Sequence, residues 1–287
     1  MCANKPVFAL LYDFDKTLCT KDMQEYSFIP DVNMTPEDFW KSANTLACER
    51  KMDGVLAYLY VMLEQAHIAR KRIRREDFVE MGQALEFYPG VAEFFPCINR
   101  FAAQHGIRLE HYIISSGLRE IIEGSSIFGY FREVFACEFL YDENEVACWP
   151  KNVVNYTTKT QFLFRINKGV LDLSNDRDLN RYTPEDMRPI PFRNMIYIGD
   201  GFTDVPCMKL VRVGGGASIA VYPSGHRENA EELLRAGRVD FVLPADYRMG
   251  GELYQTVCAL LSKAIAVDAL RGRSAQQLAA LEGKAWV

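Results

Sequence analysis

The sequence predicts an α/β fold, because short apolar runs typical of buried parallel strands alternate with segments of helical periodicity. The first run, Val7–Tyr12, ends abruptly at Asp13-Phe14-Asp15. Carboxylates just beyond a buried strand are costly unless a positive charge neutralises them. Residues two apart in an extended segment point the same way, so Asp13 and Asp15 can converge. The sequence therefore predicts a cation site at the carboxyl edge of the sheet.

Composition and charge narrow the class of protein. The chain has 287 residues, 49% of them hydrophobic and 25% charged, which is enough for a large core in one or two domains. A net charge of -5 argues against nucleic-acid binding. No apolar run approaches the length of a membrane span and the first residues lack a signal peptide's apolar core, so no membrane partner is expected. Eight scattered cysteines without zinc-like spacing predict reduced thiols and a cytoplasmic location.

An all-helical segment is predicted between the first strand and the rest of the core. Thr35 followed by proline is a good helix start. The segment Met52–His67 is apolar at helical spacing, and Arg75–Leu85 predicts another helix. The basic run Arg70–Arg75 is interpreted as a solvated face, since acidic residues follow it directly, with attraction of an anionic substrate as the alternative.

The second predicted strand, Leu109–Ile114, is followed by Ser115-Ser116-Gly117 and a short helical pattern. A hydroxyl group together with backbone N–H groups at a helix N-terminus forms a site for an anion. An ordinary strand-to-helix turn with a serine cap fits the same residues equally well. Both interpretations are open at this point.

A β-hairpin is predicted next, because Val134–Phe139 and Glu145–Trp149 flank a polar turn. The remaining predicted elements are the core strands Asn194–Ile198, Ala217–Tyr222 and Val239–Leu243, and the helices Val91–His105, Val205–Leu210 and Gly251–Leu281.

A helix is also predicted after the hairpin, with Thr157 or Thr158 as its cap and Gly169 at its end. Lys159 then lies in the first turn, where a positive charge is unfavourable for the helix dipole. This placement hints that Lys159 has an anionic partner elsewhere.

Carboxylates follow a third strand at Gly199-Asp200-Gly201, and Asp204 comes shortly after. The glycine allows a tight turn. These residues are expected at the same edge of the sheet as the first two carboxylates.

The three strand ends carry DFDKT, SSG and GDGFTD, with a helix-borne lysine between the second and third. This ordered set resembles the haloacid dehalogenase-like (HAD) phosphatases over essentially the whole chain. The helical segment and the hairpin are similar to the phosphoserine-phosphatase-type branch, which has a helical C1 cap. The resemblance implies a Rossmann-like core of residues 1–19 and 88–287, a mostly parallel sheet with helices on both faces, and a cap of residues 20–87.

The resemblance also implies Mg²⁺-dependent hydrolysis of a small phosphorylated metabolite. Asp13 would be the nucleophile that forms an aspartyl-phosphate, and Asp15 the acid and base. The implied Mg²⁺ ligands are the carboxylates of Asp13 and Asp200 and the backbone carbonyl of Asp15. Asp204 would be a further ligand or would support the others. The groups implied to hold the phosphoryl oxygens are Ser115, Lys159 and the N–H groups of Ser116 and Gly117.

Some assignments have alternatives. Lys168 also lies between the motifs and could replace Lys159 as the phosphate lysine. Asp22 could contact the substrate or simply cap a helix. Lys16 stands where relatives often have glycine or serine, and a cation so near the site could affect what binds. The presence of Asp15 argues against carbon–halogen cleavage, since dehalogenase members lack this aspartate.

Two other functions are weighed against hydrolysis. One is phosphoryl transfer to another acceptor within the same superfamily. The other is a binding or regulatory protein that kept the fold and lost turnover; a complete set of site carboxylates and lysine argues against it. The oligomeric state is not predicted from the sequence.

Overall fold

The computed structural model describes residues 5–223 and 225–282. Its strands are β1 (Val7–Tyr12), β2 (Arg108–Leu118), β3 (Glu133–Tyr141), β4 (Ala147–Asn152), β5 (Met195–Gly199), β6 (Ala217–Tyr222) and β7 (Phe241–Pro244). They form one seven-stranded sheet in the order β4-β3-β2-β1-β5-β6-β7. All neighbouring pairs in it are parallel except the β3–β4 hairpin. The predicted α/β class with a mostly parallel sheet is confirmed.

Helices occupy the connections between the strands. They are α1 (Phe28–Asp31), α2 (Pro36–Arg50), α3 (Gly54–Ile68), α4 (Arg75–Met81), α5 (Val91–Gln104), α6 (Arg119–Glu123), α7 (Lys159–Lys168), α8 (Asp176–Asn180), α9 (Val205–Val213), α10 (Glu228–Arg235) and α11 (Glu252–Glu282). In the core, α5 packs on β2, α9 on β5 and β6, and α11 on α5.

The central strand β1 sets the position of the candidate site. Its residues from Phe8 onward are buried, as its unbroken apolar run predicts. Tyr12 pairs with Ile113 of β2 on one side and with Ile198 of β5 on the other. The chain therefore leaves these three strands at one edge of the sheet. The residues that follow them meet there.

The segment between β1 and α5, residues 20–87, is helical and is called the helical insert below. As predicted, α2 begins after Thr35, whose Oγ1 accepts a hydrogen bond from the Asp38 N–H at 3.2 Å. Helix α3 begins at Gly54 and not at Met52, because the Asp53 side chain caps it. The division of the chain into a core and a cap domain stays a prediction.

Several other elements differ from their predicted bounds by a few residues, among them α4, β4 and β5. Strand β2 continues through Leu118, with an irregularity in its pairing to β3 after Ile114. At the start of α7, Thr158 is the N-cap residue as predicted, but its side chain makes no capping hydrogen bond. The Asn155 side chain instead accepts hydrogen bonds from the N–H groups of Thr157 and Thr158, at 3.1 and 2.9 Å. Strand β7 begins two residues later than expected, at Phe241.

The charged residues of the basic run Arg70–Arg75 are exposed, while Ile73 within the run is buried. Lys71 lies 3.7 Å from Asp31, and Arg74 lies 3.5 Å from Glu76. Paired and exposed charges of this kind agree with a solvated face.

The C-terminal helix α11 is buried only in its first half, through residues such as Leu253, Val257 and Leu261. By length and composition, its segment Glu252–Leu281 could cross a membrane: the mean hydropathy reaches 1.3, with 17% of that window buried. This finding differs from the expectation that no apolar run approaches a membrane span.

Candidate active site

The ends of β1 and β5 and the start of α9 bring three carboxylates together. Oxygen atoms of Asp13, Asp200 and Asp204 all lie within 4.8 Å of one another, and these three residues are called the acidic cluster below. The Asp13 N–H donates to the Ile198 carbonyl at 3.0 Å, which fixes Asp13 beside β5. A Cβ atom on Gly199 would overlap the Asp204 carboxylate, so glycine is needed for this close packing.

Lys159 connects two members of the acidic cluster. Its Nζ lies 2.9 Å from Asp13 Oδ1 and 2.8 Å from Asp204 Oδ1, and the residue is 1% exposed. These ion pairs explain why a lysine is tolerated in the first turn of α7. The anionic partners that the sequence suggested for Lys159 are Asp13 and Asp204.

Lys168, the alternative phosphate lysine, faces a different part of the chain. Its Nζ donates to the backbone carbonyls of Leu179 and Arg181, at 2.5 and 2.8 Å. Of the two lysines, the structure brings Lys159 to the carboxylates.

Tyr197, which the sequence analysis missed, also belongs to this site. Its hydroxyl group donates to Asp204 Oδ1 at 2.8 Å from within the buried strand β5. No pattern in the sequence distinguishes this tyrosine from an ordinary core aromatic. Only the proximity of Asp204 reveals its role.

Burial and the neighbouring carboxylates raise the pKa of two members of the acidic cluster, Asp13 and Asp200. Burial, and next the charge of Asp204, raise the pKa of Asp13 to about 6 although Lys159 opposes the change. Burial and the neighbouring Asp13 and Asp204 raise the pKa of Asp200 well above its usual range. Burial lowers the pKa of Lys159, but the two carboxylates outweigh it, so the pKa is raised and the lysine stays charged. One lysine therefore does not balance three carboxylates.

The acidic cluster fits a divalent cation. Asp204 Oδ2 is buried and accepts no hydrogen bond from any residue the structure describes, which is costly unless a cation occupies that side. An all-oxygen donor set of carboxylates is what Mg²⁺ prefers. The implied ligands Asp13, Asp200 and Asp204 thus lie where one ion could reach them.

Asp15 lies beside the acidic cluster and is tied to the start of the helical insert. Its Oδ1 accepts a hydrogen bond from the Met23 N–H at 2.9 Å. Burial, and then the charges of Asp22 and Asp13, raise the pKa of Asp15 well above its usual range. A carboxyl group whose pKa is raised in this way is better suited to donate a proton as an acid.

The predicted anion-binding residues end β2 next to Asp15. Ser115 is fully buried, and its Oγ accepts a hydrogen bond from the Gly117 N–H at 3.0 Å. A Cβ atom on Gly117 would overlap the Met23 side chain and would lie 2.9 Å from Asp15 Oδ2. A methyl group here would therefore displace the ends of the Met23 and Asp15 side chains.

Ser116 presents its backbone carbonyl to the helical insert and to the hairpin. The Tyr58 hydroxyl of α3 donates to this carbonyl, and the Cys137 thiol of β3 does so at 3.3 Å. Nearby, the Asn155 side chain donates to Asp53 at 3.0 Å. The helical insert is thus bonded to β2 and to the segment between β4 and α7.

Lys16 and Asp22 form an ion pair at the exposed side of the site, with 2.6 Å between Nζ and Oδ2. Lys16 adopts a left-handed backbone conformation, with φ of 54°. Burial lowers its pKa, but Asp22, Asp200 and Asp15 outweigh this and raise it. The Asp22 side chain makes no helix-capping hydrogen bond, so the capping alternative is not supported.

Comparison with known proteins identifies the family to which this chain belongs. The family model of haloacid dehalogenase-like hydrolases matches residues 10–209. An uncharacterized protein of Borreliella burgdorferi is 30% identical over 286 residues, covering 90% of this chain and 97% of that protein. This chain therefore belongs to the haloacid dehalogenase-like hydrolases.

Solved structures share the fold at low sequence identity. A substrate-bound phosphoserine phosphatase complex matches 83% of this chain and 93% of its own, with a TM-score of 0.52 and 16% identity. A probable phosphoserine phosphatase from Vibrio cholerae matches 92% of this chain and 67% of its own, with a TM-score of 0.55 and 13% identity. The resemblance to a HAD hydrolase with a phosphoserine-phosphatase-type fold is confirmed.

Proposed function

We propose that this protein is a Mg²⁺-dependent phosphomonoester hydrolase that acts on a small phosphorylated metabolite through an aspartyl-phosphate intermediate. The observation that carries the proposal is the position of Lys159, which is buried between Asp13 and Asp204 with Asp200 beside them. This arrangement places a buried positive charge directly beside the proposed carboxylate nucleophile, as phosphoryl transfer requires.

Asp13 is the proposed nucleophile. Lys159 holds its Oδ1, which leaves Oδ2 to attack phosphorus in line with the leaving oxygen. The P–O bond to the leaving group breaks as the bond to Asp13 forms, so one difficult hydrolysis becomes two easier steps. Lys159 also neutralises charge that develops on the phosphoryl oxygens.

Asp15 is the proposed acid and base. Its raised pKa favours the protonated form that donates to the leaving oxygen. The resulting carboxylate then takes a proton from the water that hydrolyses the aspartyl-phosphate. The hydrogen bond from the Met23 N–H orients Asp15 for both steps.

Mg²⁺ would be held by the carboxylates of Asp13 and Asp200 and the backbone carbonyl of Asp15, with Asp204 as a ligand or support. When bound, the ion allows the anionic nucleophile and the anionic phosphoryl group to approach each other. Ser115 and the N–H groups of Ser116 and Gly117 would complete the phosphate site. The Gly117 N–H would exchange its bond to Ser115 for one to the substrate.

We infer a cytoplasmic location and a small soluble substrate, without nucleic-acid or membrane partners. The described cysteines, from Cys19 to Cys258, are all free thiols, which suits a reducing compartment. The net charge of -5 disfavours binding to phosphate-rich polymers.

The test is hydrolysis of p-nitrophenyl phosphate and ethyl phosphate, with and without Mg²⁺, by wild type, Asp13→Asn and Asp186→Asn. Asp186 is an exposed carboxylate and serves as the matched control. We expect Mg²⁺-dependent release of phosphate that falls by at least about a thousandfold in Asp13→Asn and is unchanged in the control. Activity that survives in Asp13→Asn overturns the nucleophile assignment, and a purified wild type inactive on both esters overturns general phosphomonoesterase activity.

A further inference from the structure

We propose that Lys16 selects substrates that carry a second anionic group on the leaving-group side of the phosphate. The inference rests on the proposed phosphomonoesterase activity and names its substrate class. The favoured substrate has a carboxylate, or a second phosphate, a few bonds from the ester oxygen.

The first step is the position of Lys16. It directly follows Asp15, the residue proposed to protonate the leaving oxygen. The Met23 N–H binds Asp15, and Asp22 binds Lys16, so the two consecutive residues are held by the same short segment. The ammonium group of Lys16 therefore lies on the side of the site from which the leaving group departs.

The second step is the availability of the positive charge. Lys159 is 1% exposed and already contacts two carboxylates. The Lys16 side chain is 48% exposed and, among the residues that the structure describes, makes one ion pair, with Asp22. An ammonium group has three N–H donors, so Lys16 retains donors for an incoming anion.

The third step concerns Asp22, the negatively charged partner of Lys16. Asp22 could attract an ammonium group on the substrate, but its Oδ2 lies 2.6 Å from Lys16 Nζ. A cationic substrate would have to compete with Lys16 for Asp22 and would lie close to a second positive charge. The pair therefore favours an anionic leaving group and disfavours a cationic one.

The experiment uses three esters with leaving groups of similar size: phosphoglycolate, ethyl phosphate and phosphoethanolamine. These carry a carboxylate, no charge and an ammonium group, respectively. We would measure kcat/KM with Mg²⁺ for wild type, Lys16→Gln, Lys16→Arg and Asp22→Asn. Lys16 is half exposed, so its variants are expected to fold.

For wild type, we expect kcat/KM for phosphoglycolate to be about tenfold higher than for ethyl phosphate, because one charge-assisted hydrogen bond stabilises by about that factor. We expect phosphoethanolamine to have the lowest kcat/KM of the three. Lys16→Gln removes this preference, Lys16→Arg retains most of it, and Asp22→Asn increases it. The preference also decreases with added KCl, because the contact is partly exposed.

The inference is overturned if wild type prefers phosphoethanolamine or ethyl phosphate, or if Lys16→Gln lowers kcat/KM equally for all three esters. This result is distinct from failure of the proposed function. Ethyl phosphate hydrolysis that depends on Asp13 upholds the function even when charge preference is absent.

Discussion

Two groups of charged residues lie within the same site and differ mainly in their exposure. Lys159 is buried with Asp13 and Asp204, whereas Lys16 is half exposed with Asp22. In the buried group, each charge depends on the others, because water cannot replace a lost partner. In the exposed pair, water can replace a lost partner, so the ion pair contributes little to the stability of the fold. The proposals thus give the same residue type a role in the chemistry at Lys159 and a role in selectivity at Lys16.

The sharpest test of this comparison replaces each lysine by methionine. Lys159→Met leaves two buried carboxylates unpaired, so we expect the free energy of unfolding without Mg²⁺ to fall by about 3–5 kcal/mol. Lys16→Met is expected to change it by at most about 1 kcal/mol. Urea denaturation of the two variants measures both values. Equal losses of unfolding free energy in the two variants would show that burial does not determine how much each lysine contributes to stability.

The next largest effect is expected at Gly117, where the backbone of β2 lies against the side chains of Met23 and Asp15. Gly117→Ala forces Met23 and Asp15 apart, and we expect kcat on ethyl phosphate to fall by about a hundredfold, since small displacements of a catalytic group are costly. Gly129→Ala is the control, because a Cβ atom there meets no other atom within 4 Å. Comparable activity in the two variants would contradict the tight packing at Gly117.

The pH dependence of stability tests the charge excess of the acidic cluster. In the metal-free protein, the folded-state pKa of Asp13 is raised from 3.8 to about 6. Its protonated form therefore stabilises the fold at low pH, and this contribution is lost as the pH rises through about 6. We expect saturating Mg²⁺ to raise the Tm by about 4 °C near pH 7.5 and by clearly less near pH 5.

Differential scanning fluorimetry measures these shifts, with Asp200→Asn as the comparison. That variant loses one ligand of the acidic cluster and is expected to lose most of the Mg²⁺ effect. A Mg²⁺ shift that is the same at both pH values would argue that the ion binds elsewhere.

The smallest expected effect comes from Tyr197→Phe. It removes one hydrogen bond to Asp204 and is expected to lower the free energy of unfolding by about 1 kcal/mol. Tyr60→Phe is the control, since Tyr60 is exposed and its hydroxyl lies 3.5 Å from Glu64. An equal change in both variants would mean that the Tyr197 hydroxyl adds nothing specific to the acidic cluster.

The sequence predicted the strands best where an apolar run is unbroken and ends in charged residues. Strands β1 and β6 agree residue for residue with Val7–Tyr12 and Ala217–Tyr222. Strand β2 was predicted too short because Ser115 and Ser116 are polar, although the backbone stays extended through them. Polarity here marked the proposed phosphate-binding residues and not the end of the strand.

Contacts between residues that are far apart in the sequence could not be predicted in the same way. The turn that precedes α7 is held by the side chain of Asn155, which is bonded to Asp53 of the helical insert, far away in sequence. The choice between Lys159 and Lys168 likewise depends on which of them faces the acidic cluster, and that is set by tertiary packing. The family resemblance proposed the site residues; the fold shows which of them lie together.

The carbonyl of Ser116 links the helical insert to the rest of the chain through Tyr58. This single contact limits how freely the insert can be exchanged between relatives. A chimaera that carries a foreign insert keeps the sheet and the acidic cluster, but its Ser116 carbonyl keeps only the weaker thiol donor of Cys137 unless a hydroxyl stands at the position of Tyr58. Recombination of substrate specificity in this fold would therefore have to transfer one tyrosine together with the residues that contact the substrate.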